Sequence, residues 1–273
     1  MVDAQLRERI RRIERSAATA HQVLPFGIAA IDRALPGGGL ACGALHEIMG
    51  TGGDEEDGAL AAAFAAHILG RLTGVVLWCL PRPDLYGPGL AAHGLDPGRV
   101  VLVRASRDAR ILWAMEEGLR ASGIVAVVGE VGTLPSVASR RLQLAAECSG
   151  ITAFLLRRWR DGGQAARERA LPNVAVTRWR IAALPSQPPP IPSPAPTLTL
   201  PRSRGREWNG GGLGWEPGVG HPRWRVELLR CRGGEPACWE MEVPDATDHV
   251  SLAAALADRP AAPAAAEKYR RAG

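Results

Sequence analysis

The chain has 273 residues and carries a net charge of +5, with 46% hydrophobic residues, enough for one large domain with a sizeable core. It holds no apolar run of about 18 residues, which excludes a helical membrane span. Its first residues, MVDAQLRERIRRI, lack the apolar core and cleavage site of a signal peptide, so a cytoplasmic protein with no membrane partner is expected.

Leu6, Ile10 and Ile13 recur at helical spacing among Arg and Glu and predict an amphipathic helix over 3–16 that packs on its own core or docks on a partner. Glycine-rich punctuation starts at Pro36, and a short strand follows over 45–49. The loop GTGGDEEDG comes next, then a helix with Leu60, Phe64, His67 and Ile68 on one face, ended by Gly70 or Gly74. Continuous apolar runs at 75–80 and 100–103 read as buried parallel strands. Asp108 reads as the N-cap of a helix carrying Ile111, Met115 and Leu119 on one stripe, which Gly123 ends. Residues 124–128 (IVAVV) form the most strand-like segment, and a helix over 136–148 leads to a strand over 151–156. Strand and helix alternate, so the expected fold is α/β, a mostly parallel sheet flanked by helices.

After Leu171 the pattern changes. Residues 174–181, 224–231 and 238–243 read as strands without intervening helices, hence as antiparallel additions at one edge. Between them, 184–222 is rich in Pro and Gly and reads as an extended insertion. A last helix is predicted over 251–258, before an Ala/Pro tail. The expected organisation is a helix at 1–20, a core at 21–183, the insertion at 184–222, edge strands at 223–245 and a C-terminal helix and tail at 246–273.

A strand, a glycine-rich loop and a helix make the frame of a phosphate site, with backbone N–H groups and a helix N-terminus facing the anion. The working pattern also needs a lysine on the phosphates and a hydroxyl on Mg²⁺. Here Gly50, Gly52 and Gly53 supply the loop, but the lysine position falls near Glu56 and the hydroxyl position near Asp57. The only lysine in the chain is Lys268. Each carboxylate opposes a phosphate by about 1 kcal/mol at 4 Å in water, and more when desolvated. The loop therefore reads as unable to hydrolyse ATP, and no cofactor or catalytic residue is expected. Its acidic residues suit the positive end of the helix that follows. They lack the spacing of a calcium loop.

The segment LPFGIAAIDRALPGGGLACGALHEIMG, with LAAHGLDPGRVVLVRA and IVAVVGEVGTLPS after it, resembles the RecA recombinase family. Within that family it is most similar to the ImuA group of bacterial ImuA–ImuB translesion cassettes. The resemblance covers most of 20–182 and resumes at PRWRVELLRCRGG. It implies a RecA-like core and places the catalytic glutamate of RecA-type enzymes at Arg82 or its neighbours Pro81 and Pro83. It places the metal-binding aspartate at Gly129, beside Glu130. The two segments matching the DNA-binding loops, 132–139 and 161–173, look shortened. Metal, nucleotide and catalytic groups are thus absent or displaced. The resemblance implies a non-catalytic accessory factor in SOS-type mutagenesis, with ImuB and an error-prone replicative-type DNA polymerase as partners. The alternatives it leaves are a modulator of RecA filaments and a cryptic ATPase or cell-division inhibitor.

Arg-Trp-Arg occurs three times, at Arg158–Arg160, Arg178–Arg180 and Arg223–Arg225. On a strand, alternation sends both arginines to one face and the tryptophan to the other. The arrangement reads as core tryptophans with a solvated arginine face, or as an arginine stripe that meets DNA or an acidic partner, to which Arg167 and Arg169 add from a flexible loop. The mild basicity suits the second reading, and a base-composition bias toward arginine explains it equally well. The five cysteines, Cys42, Cys79, Cys148, Cys231 and Cys238, form no C-x-x-C pair and read as reduced thiols. The six histidines show no metal spacing.

Overall fold

A computed structural model describes residues 22–52, 54–185 and 222–243 and the backbone of 251–252; residues 54–57 are described by their backbone. The predicted N-terminal helix with Leu6, Ile10 and Ile13, and nearly all of the insertion and the C-terminal tail, lie outside the described residues. The chain begins with β1 (Val23–Leu24), α1 (Ala29–Ala34) and β2 (Leu40–Ala41), the two strands pairing antiparallel. The alternating part follows as β3 (Leu45–Gly50), α2 (Asp54–Leu69), β4 (Val75–Leu80), α3 (Gly87–Ala92), β5 (Val100–Arg104) and α4 (Asp108–Gly118). It continues with β6 (Ile124–Val131), α5 (Ser136–Ser149), β7 (Thr152–Arg157), α6 (Gly162–Ala170) and β8 (Thr177–Leu184). Then come β9 (Arg223–Cys231), β10 (Ala237–Glu242) and β11 (Ser251–Leu252).

The main sheet runs in the order β11-β10-β9-β8-β3-β7-β6-β4-β5. Neighbours from β8 to β5 are all parallel, and β9, β10 and β11 each join antiparallel. This is a mostly parallel sheet flanked by helices, with antiparallel strands at one edge. Two apolar layers cover it. On one face Phe26 and Phe64 meet Trp179 with ring centroids 5.3 to 5.6 Å apart, and Trp78, Phe154 and Trp239 extend the layer. On the other face Ile111, Leu112, Met115 and Leu119 of α4 and its C-cap pack with Leu142 and Ala146 of α5.

Five expectations are corrected. The apolar run at 100–103 is not a buried strand: β5 is the edge of the sheet, and Val101 and Leu102 are exposed. β8 is not an antiparallel addition: it pairs parallel with β3, from His46 opposite Thr177 to Gly50 opposite Ile181, because α6 makes the crossover. That helix buries only Ala165, so it shows no apolar stripe in the sequence. Asp108 is the first helical residue rather than the cap; Arg107 takes that place, and the Asp108 carboxylate accepts the Thr133 N–H at 2.7 Å. Helix α4 ends at Gly118, and Gly123, at φ 84°, opens the turn into β6. Ser251 and Leu252, expected to begin a helix, pair instead with Glu242 and Met241 of β10.

His46, fully buried on β3, ties that strand to β8 and to β2. Trp179 Nε1 can only donate, and it does so to Thr177 Oγ1 at 2.7 Å. The Thr177 hydroxyl then donates to His46 Nδ1 at 2.7 Å, which leaves His46 Nε2–H to donate to the Ala41 carbonyl at 2.9 Å. A proton on Nδ1 would reverse that contact and leave the Thr177 hydroxyl proton to find another acceptor. Burial pushes His46 down to about 4 from 6.5, and burial with the nearby Arg71 and His93 does the same to His67. Both rings are neutral in the fold, so their stability is complete above pH 6.5 and is lost as the pH falls toward 4. Moving from pH 8 to pH 5 should cost about 2 kcal/mol through His46, seen as a fall in urea midpoint. His46→Gln should remove about half of the dependence, His67 supplying the rest; an unchanged slope would remove His46 as a source.

Candidate functional site

The C-terminal rim of the parallel strands is where open α/β sheets hold ligands. Here the rim includes the loop after β3, the segment after β4, the end of β6 and the segment from β7 into α6. A cleft of about 350 Å³ opens there between α2 and α3, lined among others by Gly58, Ala59, Asp84, Tyr86, His93 and Arg158.

The loop itself is held by an arginine. Arg169, near the end of α6, donates from Nη2 to the Gly50 carbonyl at 3.2 Å and to the Thr51 carbonyl. Its guanidinium also lies over the Trp159 ring, 5.0 Å from the centroid, with Arg157 at 5.4 Å. Trp159 is buried against Met49 and Ala165 and donates from Nε1 to the Gly132 carbonyl at 3.0 Å. The start of the loop thus turns carbonyl oxygens toward a cation of the chain itself, the reverse of a phosphate cradle. Gly50 ends β3, Gly52 is half-buried, and the placement of Gly53 and of the Glu56 and Asp57 side chains lies outside the described residues.

The resemblance put a metal-binding carboxylate at Gly129. That position points into the packed layer under α4: a Cβ there would lie 2.1 Å from Met115 Sδ. Glu130 points to the opposite face and is completely buried. Trp78 Nε1 donates to its Oε1 at 2.8 Å, and Arg158 Nη1 lies 3.1 Å from its Oε2. Arg158 reaches Asp84 with its other arm, Nη2 to Oδ2 at 2.9 Å. One guanidinium therefore ties β6 to the segment after β4. Arg82 is exposed, 3.9 Å from the same Asp84 carboxylate, and Pro81 and Pro83 flank it.

A second lattice lies beside it. Glu47 on β3 is buried with Arg157 on β7, whose Nε is 3.4 Å away and whose Nη2 is 2.7 Å from Glu168 of α6. Arg178 and Asn173 both donate to Glu47 Oε2, Asn173 at 2.8 Å. Burial of these charges is tolerable because each meets an opposite one.

The three tryptophans of the repeated motif are buried: Trp159, Trp179 and Trp224. Their arginines do not form one face. Arg158 and Arg160 follow β7 in a turn, whereas Arg178, Arg180, Arg223 and Arg225 share a face of β8 and β9. There Arg180 pairs with Glu227, and Arg223 and Arg225 pair with Glu240 at 3.2 and 3.1 Å. Arg160 is exposed. In the two segments matched to DNA-binding loops, α5 begins four residues after Gly132, and α6 fills much of 161–173, capped by Asp161 accepting the Gln164 N–H at 2.8 Å. Arg167 and Arg169, expected in a flexible loop, lie on α6, and Arg169 serves the Gly50 and Thr51 carbonyls. Sequence reasoning missed Glu47, Asp84 and Glu168, because their partners come from distant elements. Among the described residues no three His, Cys, Asp or Glu side chains gather as a metal site, and no helix is long and apolar enough to cross a membrane.

If Arg158 is the countercharge of a buried carboxylate, Arg158→Ala should cost about 3–5 kcal/mol in urea unfolding. Arg160→Ala, two residues on, should stay within about 0.5 kcal/mol. Equal losses would contradict the assignment.

No family model matches the chain. Over 270 residues it is 37% identical to Protein ImuA of Caulobacter vibrioides strain NA1000 / CB15N, covering 96% of this chain and 100% of that protein. The figures are the same for Protein ImuA of strain ATCC 19089 / CIP 103742 / CB 15 of that species. Among solved structures, the crystal structure of the RadB recombinase superposes with a TM-score of 0.51 at 14% identity, covering 84% of this chain and 99% of that one. That likeness supports the fold, a RecA-like core.

Proposed function

Because the chain belongs to the ImuA family, we propose that it is a cytoplasmic, nucleotide-independent accessory factor in ImuA-type induced mutagenesis and translesion DNA synthesis. Its partners on this reading are ImuB and an error-prone replicative-type DNA polymerase. The RecA-like core supplies the surfaces for these contacts, and no step of the work runs through ATP.

The observation that carries the reading is Arg169 on the Gly50 and Thr51 carbonyls. A triphosphate seated in that loop needs N–H donors and a lysine. Here the guanidinium satisfies carbonyl acceptors, and the chain before Lys268 holds no lysine. The displaced carboxylates agree: Glu130 is held by Trp78 and Arg158, and Asp84 by Arg158.

Titration calorimetry with Mg²⁺-ATP should give no saturable heat, and the intact chain should co-purify with ImuB at micromolar concentration. Measurable hydrolysis that Arg169→Ala alters would overturn the nucleotide-independent reading. Absence of an ImuB complex would overturn the accessory role.

A further inference from the structure

The arginines of the repeated motif are mostly committed to glutamates, so a polyanion must be met elsewhere. Among the described residues Arg104, Arg107 and Arg110 are exposed, and none of them enters an ion pair or a side-chain hydrogen bond. All three come from β5, α4 and the turn between them, at the outer limit of the sheet. Arg104 ends β5, the last strand in the order, opposite Leu80, and so projects to the sheet face away from α4. Arg107 caps α4, and Arg110 follows one turn later. Rises of 1.5 Å per residue put Arg107 and Arg110 about 4.5 Å apart along the axis, with Trp113 a further ~4.5 Å on.

The buried stripe of α4 is Ile111, Leu112 and Met115, which turns Arg110 and Trp113 to solvent. Trp113 is 61% exposed, an unusual position for so large an apolar ring. Val101, on the face of β5 that carries α4, is also exposed, whereas the exposed Leu102 projects to the opposite face. The nearby carboxylates are engaged: Asp108 by the Thr133 N–H, Glu116 by Arg120 and Arg141, and Glu117 by Arg120. The patch thus pairs the two uncompensated guanidinium forks of Arg107 and Arg110 with an open aromatic face.

We propose that Arg107, Arg110 and Trp113 form a binding surface for single-stranded nucleic acid. The guanidinium groups take successive phosphates, each through two N–H donors. Trp113 stacks on a base, which a single strand can present and a closed duplex cannot. An acidic peptide would satisfy the arginines but would leave the ring without a planar partner. The choice of nucleic acid deepens the accessory role proposed above, while the patch itself stands on the geometry.

The test uses the full chain and a fluorescein-labelled oligothymidylate, with anisotropy followed as salt is raised. Each phosphate contact on a single strand contributes about 0.7 to the slope of log affinity against log salt. The pair Arg107→Ala with Arg110→Ala should lower that slope by about 1.4. The pair Arg71→Ala with Arg140→Ala removes two exposed, unpaired arginines elsewhere and should leave it nearly unchanged. Trp113→Ala should weaken binding about tenfold, and Trp113→Phe should restore most of it.

Equal effects of the two arginine pairs, or no binding by the intact chain at low salt, would overturn the proposal. So would competition by polyglutamate as effective as that by unlabelled oligothymidylate, which would mark the patch as a seat for an acidic protein. Capture of ImuB by the same variants separates this result from the accessory role: each can fail while the other stands.

Discussion

The buried carboxylate of Glu130 sets the terms for the whole rim. A carboxylate removed from water costs several kcal/mol unless another group replaces its hydration. Trp78 supplies one hydrogen bond and Arg158 the countercharge, so β4, β6 and the segment after β7 must arrive in one arrangement. Glu47 makes the same demand on β3, β7, β8 and α6 through Arg157, Arg178 and Glu168. Such pairs gain little over a well-packed apolar core. Their force lies in the penalty for breaking them, since removing one member strands the other.

This arrangement has a consequence for ligand control. A ligand moves a protein between states only through a difference in its affinity for them. In a phosphate-driven switch, the rim must exchange internal contacts for contacts with the anion. On the proposed reading that exchange is blocked at each point where it would begin. The loop carbonyls hold Arg169, and Gly129 cannot take a side chain without displacing Met115. A core of this kind offers fixed surfaces to its partners.

Much of the fold was legible because its signals are local. The apolar run of β4 and the stripe of Ile111, Met115 and Leu119 each report one element packing on one layer. The burial of Trp179 and Trp224 was legible in the same way, from alternation, whereas Trp159 lies in the turn after β7 and is buried for another reason, its packing on Met49 and Ala165. The fate of the arginines beside these tryptophans was not legible. Alternation says that Arg178 and Arg180 share a face, but Glu47 and Glu227 reach that face from strands 131 and 47 residues away. The crossover before β8 was hidden for a different reason: α6 sits on a charged rim and buries one alanine, so it has no stripe to read. The site's acceptors were equally silent, because the carbonyls of Gly50 and Thr51 carry no side-chain signature.

The near absence of lysine takes on a structural meaning in this light. A base-composition bias explains a high arginine count, but it does not explain how the arginines are used. Arg158 holds two carboxylates from separate segments, and Arg230 donates to the Asn173 side chain and to the Asn173 and Ala175 carbonyls. Arg99 likewise spans the Leu72 and Gly74 carbonyls. Each of these needs a planar fork with several fixed donors, and an ammonium is a single compact charge on a flexible stem. Lysine would serve best at the phosphate loop, where one mobile point charge meets one phosphate, and that is the position where the chain carries acid. The cation chemistry suited to nucleotide exchange is missing, and the chemistry suited to fastening distant segments is found across the fold.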